Sequence, residues 1–158
     1  MKHLNINVIC KLNNITIRME RLTVEQRRKT MQAVKSTGSK IEKRLATALW
    51  KRGHRYRKND KTVFGKPDLT FKRIKVAIFI DSEFWHGHNW KVHKHDHKSN
   101  EKYWHNKIER NIKRDKLVNR KLLKDGWKVV RFWGRDIEKK IDACINKVEL
   151  ILNERKKI

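Results

Sequence analysis

The chain has 158 residues, of which 37% are apolar and 37% are charged. That length and composition fit one domain with a modest hydrophobic core, and they exclude a chain that is disordered throughout. The 42 Lys and Arg residues outnumber the 17 Asp and Glu residues, which gives a formal net charge of +25. Such an excess predicts binding to a polyanion, with an affinity that falls steeply with salt. A general lysine-rich bias is the alternative, but basic residues occur in every segment, so nucleic acid is the expected partner.

The sequence contains no signal for a membrane or for secretion. Apolar runs fall short of the roughly 20 residues that span a bilayer, and residues 1–18 lack the continuous apolar core of a secretory signal. Cys10 and Cys144 are the two cysteines, too few for a disulfide framework, so we expect a reducing cytoplasm. Residues 1–18 are expected to be a poorly defined N-terminal extension. Residues 19–158 are expected to form a single domain, with Met19 as a candidate start.

Two capping boxes predict the first two helices. The segment Thr23 to Gln26 has the spacing that opens a short basic helix at about residues 24–34, and Ser39 to Glu42 opens a stronger one at about 40–52. In the second helix, apolar residues repeat at helical spacing on one face, and Gly53 follows as a stop signal.

Strand and helix patterns alternate through the rest of the chain. Strands are predicted at residues 54–58, 67–71, 75–80 and 127–133, the third being a buried central strand because it is almost continuously apolar. A long loop rich in His, Lys and Trp is predicted at 82–100, and helices at 103–124 and 136–155. The order α-α-β-β-β-α-β-α predicts an α/β sandwich in which helices flank a small mixed sheet.

The segment from Gly65 to Leu69 contains the only proline, Pro67, directly before Asp68. Cleavage of a phosphodiester requires charge stabilisation of the phosphate and an activated water, and a divalent metal held by carboxylates provides both. Mg²⁺ takes one or two protein carboxylates and keeps several waters. Asp68, at the start of one predicted strand, is the best candidate ligand. The backbone carbonyl of Ile80, at the end of the next strand, is placed beside it by register.

Three further side chains are candidates for the same site. Asp81 and His86 follow the central strand and can reach the pocket, and Glu42 can approach from the first long helix. Each candidate also has a simpler interpretation. Asp68 is then a turn residue, Asp81 caps the loop, Glu42 only completes its capping box and His86 is a surface histidine.

Two adjacent aromatic residues, Phe84 and Trp85, lie in the polar loop after the central strand. They are candidates to stack on bases or to wedge between them, and a lid over the core is the alternative. The loop is also rich in histidine. A structural zinc site usually includes cysteines, and none lies nearby, so the loop is expected to contact phosphates rather than bind zinc. The histidines are His86, His88, His93, His95 and His97.

From about Leu22 to Trp133 the chain resembles the very-short-patch-repair (Vsr) mismatch endonucleases, a branch of the PD-(D/E)XK restriction-endonuclease-like nucleases. Several motifs carry the resemblance at the family's spacing: Leu22 to Met31, Ile41-Glu42, Gly65 to Asp68, Phe84 to Gly87, Arg114-Asp115, Gly126-Trp127 and Val130 to Trp133. The resemblance implies a restriction-endonuclease-like three-layer sandwich. It also implies a Mg²⁺-dependent endonuclease that nicks one strand of double-stranded DNA beside a T:G mismatch, the product of 5-methylcytosine deamination.

The resemblance also implies a role for each matching residue. Asp68 would be the central Mg²⁺ ligand with help from the Ile80 carbonyl. His86 would activate the water or contact the phosphate, and Glu42 would support the water network. The wedge that opens the duplex would consist of three residues, Met31, Phe84 and Trp85. We expect a cytoplasmic protein of prokaryotic or phage type that associates with the nucleoid. A monomer is favoured although the sequence does not determine the oligomeric state, and repair proteins are candidate partners.

Two departures from the family pattern affect the expectations. Asp81 stands where the best-known members have a second histidine, so it takes either an acid–base or a metal-binding role. The family's structural zinc site corresponds here to Glu83, His88, Trp90 and Arg135, so three of four ligands are lost and no structural zinc is expected. Two other functions stay open: a homing or restriction-type endonuclease that acts on matched DNA, and a non-catalytic nucleic-acid-binding protein.

Overall fold

The computed structural model describes residues 23, 25, 26, 38–93 and 101–157. The predicted extension at residues 1–18, Met31 and most of the predicted helix at 24–34 lie outside the described residues. The chain divides into two compact units. The larger unit comprises residues 36–88 and 107–158, and the smaller comprises residues 1–35 and 89–106.

A mixed four-stranded sheet forms the centre of the larger unit. Its strands lie side by side in chain order; β1 and β2 are antiparallel, β2 and β3 are antiparallel, and β3 and β4 are parallel. The strands are β1 (Arg57–Lys58), β2 (Leu69–Phe71), β3 (Val76–Asp81) and β4 (Lys128–Trp133). As predicted from its apolar run, β3 is the buried central strand.

The helices account for most of the remaining described residues. They are α1 (Lys40–Lys51), α2 (Trp90–His93), α3 (Glu101–Lys124), α4 (Gly134–Lys139) and α5 (Ile141–Lys156). Helix α1 begins with the predicted capping box: Oγ of Ser39 accepts from the Glu42 N–H, and the Glu42 carboxylate accepts from the Ser39 N–H. Among the described residues, no helix is long and apolar enough to cross a membrane.

Hydrophobic packing on both faces of the sheet makes the larger unit a three-layer sandwich. On one face, α1, α4 and α5 pack their buried residues, among them Leu45, Ile137 and Val148, against Ile78 and its neighbours. On the other face, Val118 and Leu122 of α3 pack with Ala77 and Phe79. The predicted α/β fold is therefore confirmed, and it matches a restriction-endonuclease-like arrangement.

Two predicted elements differ in the structure. The helix predicted at 136–155 is two helices, because Lys140 leaves the helical conformation with φ −139° and ψ 48°. The break lets Ile137 of α4 and Ile145 of α5 join the same core cluster. Within the long loop predicted at 82–100, Trp90–His93 form the short helix α2.

Candidate active site

The alternation of side chains along β3 places Asp81 on the face of the sheet that α3 covers. Residues Ala77 and Phe79 pack against α3, so Asp81, two residues further, points to that side as well. Strand β2 pairs Leu69 with Ile78, which brings Asp68 to the end of β3. There the backbone N–H of Ile80 donates to Oδ2 of Asp68 over 2.7 Å, in the register that the sequence predicted.

An open cavity of about 750 Å³ contains the five candidate catalytic and metal-binding residues. Its lining includes Glu42, Asp68, Ile80, Asp81 and His86. Four basic residues, Lys61, Lys66, Arg114 and Arg131, also line it. A cavity that combines carboxylates and a histidine with basic residues around them has the groups needed to bind and cleave a phosphodiester.

The carboxyl group of Asp68 has a strongly raised pKa in this cavity. Burial raises its pKa to about 6, and the negative charges of Glu42 and Asp81 push it in the same direction. The Ile80 N–H and the nearby His86 oppose the rise without cancelling it. The ionised carboxylate is therefore under-compensated, as expected of a group whose partner is a cation.

The donor chemistry around Asp68 fits a small divalent cation. A carboxylate oxygen is a hard ligand of the kind that Mg²⁺ prefers. The N–H of Ile80 points toward Asp68, and the N–H and C=O of a strand residue face the same edge, so the Ile80 carbonyl faces that edge too. Asp68 and the Ile80 carbonyl would hold such an ion together.

Glu42 completes the capping box of α1 and also lines the cavity. Its carboxylate oxygens accept from the backbone N–H groups of Gly38, over 2.6 Å, and Ser39, over 3.2 Å. The same carboxylate lines the cavity and acts electrostatically on Asp68. The cap therefore holds Glu42 at the edge of the site.

His86 is fixed by carboxylates through one ring nitrogen. Its Nδ1 lies 2.6 Å from Oδ2 of Asp115 and 3.4 Å from Oδ1 of Asp81. A hydrogen bond at Nδ1 sets the tautomer and the orientation of an imidazole. With Nδ1 engaged by Asp115, Nε2 is the ring nitrogen available for proton transfer.

Arg131 of β4 joins both carboxylates that face His86. Its Nε lies 2.6 Å and its Nη2 2.7 Å from the two oxygens of Asp81, and Nη2 is 3.2 Å from Asp115. Burial alone would lower the pKa of Arg131, but Asp81 and Asp115 raise it, so the guanidinium stays charged. Burial would raise the pKa of Asp115, but the His86 hydrogen bond and the nearby arginines lower it.

Two glycines allow the loops around the cavity to approach α3 closely. Gly65 has φ +83°, and a Cβ there would clash with the side chain of Val118. Gly87 has φ +64°, and a Cβ there would lie 2.7 Å from Ile112. Both positions need glycine for conformation and for space. The lack of a side chain at Gly87 thereby allows the segment that carries His86 to lie close against α3.

The two candidate wedge residues in the described region, Phe84 and Trp85, are half-buried neighbours of His86. Their rings meet edge to face with centroids 4.9 Å apart, and Nδ2 of Asn111 donates to the Trp85 carbonyl over 2.9 Å. Neither ring is among the residues that line the cavity. Met31, the third member of the predicted wedge, lies outside the described residues.

The residues aligned with the family's zinc ligands make other contacts in the described structure. Oε1 of Glu83 accepts from the Arg135 N–H over 2.7 Å, at the start of α4. The ring of His88 meets Trp133 edge to face at 4.7 Å. Trp90 belongs to the smaller unit, where its ring meets His105 at 5.2 Å. The absence of a structural zinc stays a prediction.

Sequence reasoning did not identify Asp115, Asn119 and Arg131 as members of the site. Arg131 carried a detectable signal, because it is a charged residue between the apolar residues Val130 and Phe132 of β4. A charge in that position needs a buried partner, and Asp81 is that partner. Asp115 belongs to the motif Arg114-Asp115 that carried the family resemblance, but the polarity of Asp115 and Asn119 did not mark them as site residues, because polar residues are frequent on all faces of α3.

The raised pKa of Asp68 leads to a prediction about stability. The pKa of Asp68 in the folded protein, about 6, exceeds the ordinary aspartate pKa of 3.8, so ionisation of Asp68 costs folding free energy as the pH rises from about 4 to above 6. Without metal, Asp68→Asn should therefore raise the free energy of unfolding near pH 7.5 by roughly 2 kcal/mol. The gain should vanish near pH 4.

Denaturant unfolding in EDTA at both pH values measures this effect. Asp115→Asn serves as the matched control, because the pKa of Asp115 is lowered and its loss should destabilise the protein near neutral pH. An Asp68→Asn protein that is less stable than the wild type near pH 7.5 would contradict the electrostatic account of Asp68.

Comparison with known proteins identifies several relatives. Residues 19–92 match the sequence model of the family described as DNA mismatch endonuclease Vsr. The chain is 51% identical over 138 residues to the type II nicking enzyme V.HpaIIP of Haemophilus parainfluenzae, covering 87% of this chain and 98% of that protein. It is 50% identical over 137 residues to V.NmeDIP of Neisseria meningitidis serogroup C, covering 87% and 93%. It is 34% identical over 107 residues to the DNA mismatch endonuclease Vsr of Escherichia coli K12, covering 68% of each.

Proposed function

The chain belongs to the Vsr family of DNA endonucleases, and from that premise we propose that it nicks one strand of duplex DNA beside a T:G mismatch. We further propose Mg²⁺ as the metal. The observation that carries this proposal is the single cavity in which Asp68, the Ile80 backbone and His86 lie together. The mismatch target is supported by the names of the matching family and of the Escherichia coli relative.

Each candidate residue has a defined task in the proposed reaction. Asp68 and the Ile80 carbonyl would hold the divalent ion, which would supply positive charge to stabilise the phosphate. His86 transfers a proton at Nε2, since Asp115 holds its Nδ1. Glu42, fixed by the start of α1, orders water beside Asp68.

The basic residues of the cavity rim position the DNA backbone. Lys61, Lys66 and Arg114 are exposed and line the cavity around Asp68. Exposed cations at such positions bind phosphate oxygens and give a salt-dependent affinity without reading sequence. The strong net positive charge of the whole chain acts in the same direction.

Nicking of matched DNA is the second candidate function. The relatives from Haemophilus parainfluenzae and Neisseria meningitidis, 51% and 50% identical to this chain, are named type II nicking enzymes, and these names specify nicking without specifying a mismatch. The same cavity would perform the cleavage in both cases. The two functions differ only in whether a mispaired base is required.

A nicking assay distinguishes the two functions. Otherwise identical duplexes with a T:G or a C:G pair, and the single strand, are incubated with Mg²⁺ or with EDTA. Nicking only of the T:G duplex, and only with a divalent metal, is expected. Equal nicking of the C:G duplex would support the second function, and cleavage in EDTA would overturn the metal assignment.

The adjacent aromatic residues should determine mismatch preference. Unstacking a base step costs a few kcal/mol, and an inserted apolar side chain offsets that cost. We therefore expect Phe84→Ala with Trp85→Ala to lower nicking of the T:G duplex by about 10- to 100-fold. Binding to matched DNA should change little.

Comparison of nicking rates and of affinities on both duplexes measures this effect. Trp50→Ala is the matched control, since Trp50 is an exposed tryptophan in α1 that does not line the cavity. An equal loss of affinity on both duplexes would argue against a wedge at Phe84 and Trp85.

A further inference from the structure

The group formed by Asp81, His86 and Asp115 has the donor geometry of a metal site. One ligand atom from each of the three side chains lies within 4.8 Å of the others. Two carboxylates and an imidazole are donors that divalent ions such as Mn²⁺ and Co²⁺ accept. We call these three residues the Asp–His–Asp cluster.

Two cavities reach the cluster. The large cavity of about 750 Å³ is lined by all three residues. A smaller cavity of about 190 Å³, lined by the same three residues together with Asn119 and Arg131, reaches the cluster as well. The cluster is therefore accessible to a metal ion from solvent.

The guanidinium of Arg131 lies against both carboxylates of this cluster. It makes a bidentate pair with Asp81 and reaches Asp115 through Nη2 at 3.2 Å. Its Nη1 donates to Oδ1 of Asn119 over 3.1 Å, and its Cζ lies 4.7 Å from the ring centre of Phe79. All three guanidinium nitrogens are engaged, so the group is held in one orientation.

Arg131 neutralises charge that a metal ion would otherwise neutralise. The two carboxylates carry two negative charges, and the guanidinium cancels one of them permanently, because arginine does not deprotonate in proteins. A divalent ion at the cluster would lie beside this fixed positive charge and would have to displace a bidentate pair. Both effects oppose binding.

We propose that Arg131 is the built-in cation of the Asp–His–Asp cluster, where it positions Asp81 and Asp115 around His86 and keeps a divalent ion out. The cluster then supports His86 as an imidazole with a fixed ring, and the metal is restricted to Asp68. The positioning part of this proposal rests on the proposed role of His86 in nicking. The exclusion part does not, because metal binding is measured without DNA.

Metal binding in an Asp68→Asn background tests the exclusion. Asp68→Asn removes the main site, so that any remaining Co²⁺ is bound elsewhere. Asp68→Asn alone should bind no stoichiometric Co²⁺. Asp68→Asn with Arg131→Gln should bind one Co²⁺ per chain, with an affinity at least about tenfold higher than any residual affinity of Asp68→Asn. The visible spectrum of that ion should show an imidazole ligand, and adding His86→Ala should remove it.

Arg114→Gln is the matched control for the loss of a positive charge. Arg114 lines the same cavity and lies 3.7 Å from Asp115, but its side chain is 59% exposed and it makes no bidentate pair with Asp81. In the Asp68→Asn background it should gain no Co²⁺. A gain equal to that of Arg131→Gln, or no gain in either protein, would overturn the exclusion.

A conservative variant tests the positioning role and covers a failure of Arg131→Gln to fold. Arg131→Lys keeps the charge but loses the bidentate geometry. In the Asp68→Asn background we expect Arg131→Lys to keep Co²⁺ out of the Asp–His–Asp cluster. With Asp68 intact, kcat for nicking by Arg131→Lys should fall about tenfold or more at unchanged KM. An unchanged kcat would overturn the positioning role, and stoichiometric Co²⁺ bound by Arg131→Lys in the Asp68→Asn background would overturn exclusion by charge.

Discussion

Asp68→Asn should abolish nicking, with a fall in the single-turnover rate of roughly 10³-fold or more. The reason is that Asp68 is the carboxylate with a pKa raised to about 6 by burial and by its acidic neighbours, and a neutral amide cannot hold the divalent ion in its place. Removing a buried negative charge should leave DNA affinity equal or slightly higher. Single-turnover nicking and equilibrium binding in EDTA separate the two effects.

Glu42→Gln is the natural companion to that experiment. Glu42 lines the same cavity, and its carboxylate also completes the helix cap, so a glutamine keeps much of the cap and we expect a smaller loss of about tenfold. A rate for Asp68→Asn within about tenfold of the wild type would contradict the assignment of Asp68 as the metal ligand.

His86→Ala should have the second largest effect, with a fall in the nicking rate of roughly 10²- to 10⁴-fold. The side chain lies in the cavity and is oriented by Asp115 over 2.6 Å, which makes it the best placed proton-transfer group among the described residues. Asp115→Asn should produce an intermediate loss, since it removes the group that sets the tautomer of His86.

His88→Ala is the control for His86. It removes a histidine only two positions further along the chain, whose ring packs on Trp133 and does not line the cavity. Its nicking rate should stay close to that of the wild type. If His86→Ala and His88→Ala lose activity equally, or if neither does, the proton-transfer role of His86 is wrong.

The sequence predicted the elements that depend on interactions between residues close together in the chain. The capping box at Ser39 begins α1 as expected, and the apolar run before Asp81 is the buried central strand. The pairing of β2 with β3 followed from strand order, and it places Asp68 next to Ile80. These elements needed no knowledge of distant contacts.

The parts that the sequence did not predict depend on contacts between distant elements. The break at Lys140 follows from the packing of α4 and α5 into one core cluster, although the apolar spacing alone favoured one continuous helix. Asp81 and Arg131 are 50 positions apart in the chain. Their pairing results from the parallel register of β3 and β4.

The role of Asp81 illustrates what tertiary structure adds. Sequence analysis left three roles open for Asp81: an acid–base role, a metal-binding role and a cap of the loop. In the structure, both carboxylate oxygens of Asp81 accept from Arg131. This pair is the basis of the proposal that Asp81 supports His86 through a fixed charge network.

A competition experiment tests the central claim most directly. T:G and C:G duplexes that carry different fluorophores on the same strand are mixed in one tube with Mg²⁺ and the wild-type protein or Asp68→Asn. The wild-type protein should make a single nick beside the T:G pair and should leave the matched duplex intact. Asp68→Asn should nick neither duplex. Nicking of both duplexes at equal rates would contradict the mismatch target. Nicking by Asp68→Asn would contradict the assignment of Asp68 to the active site.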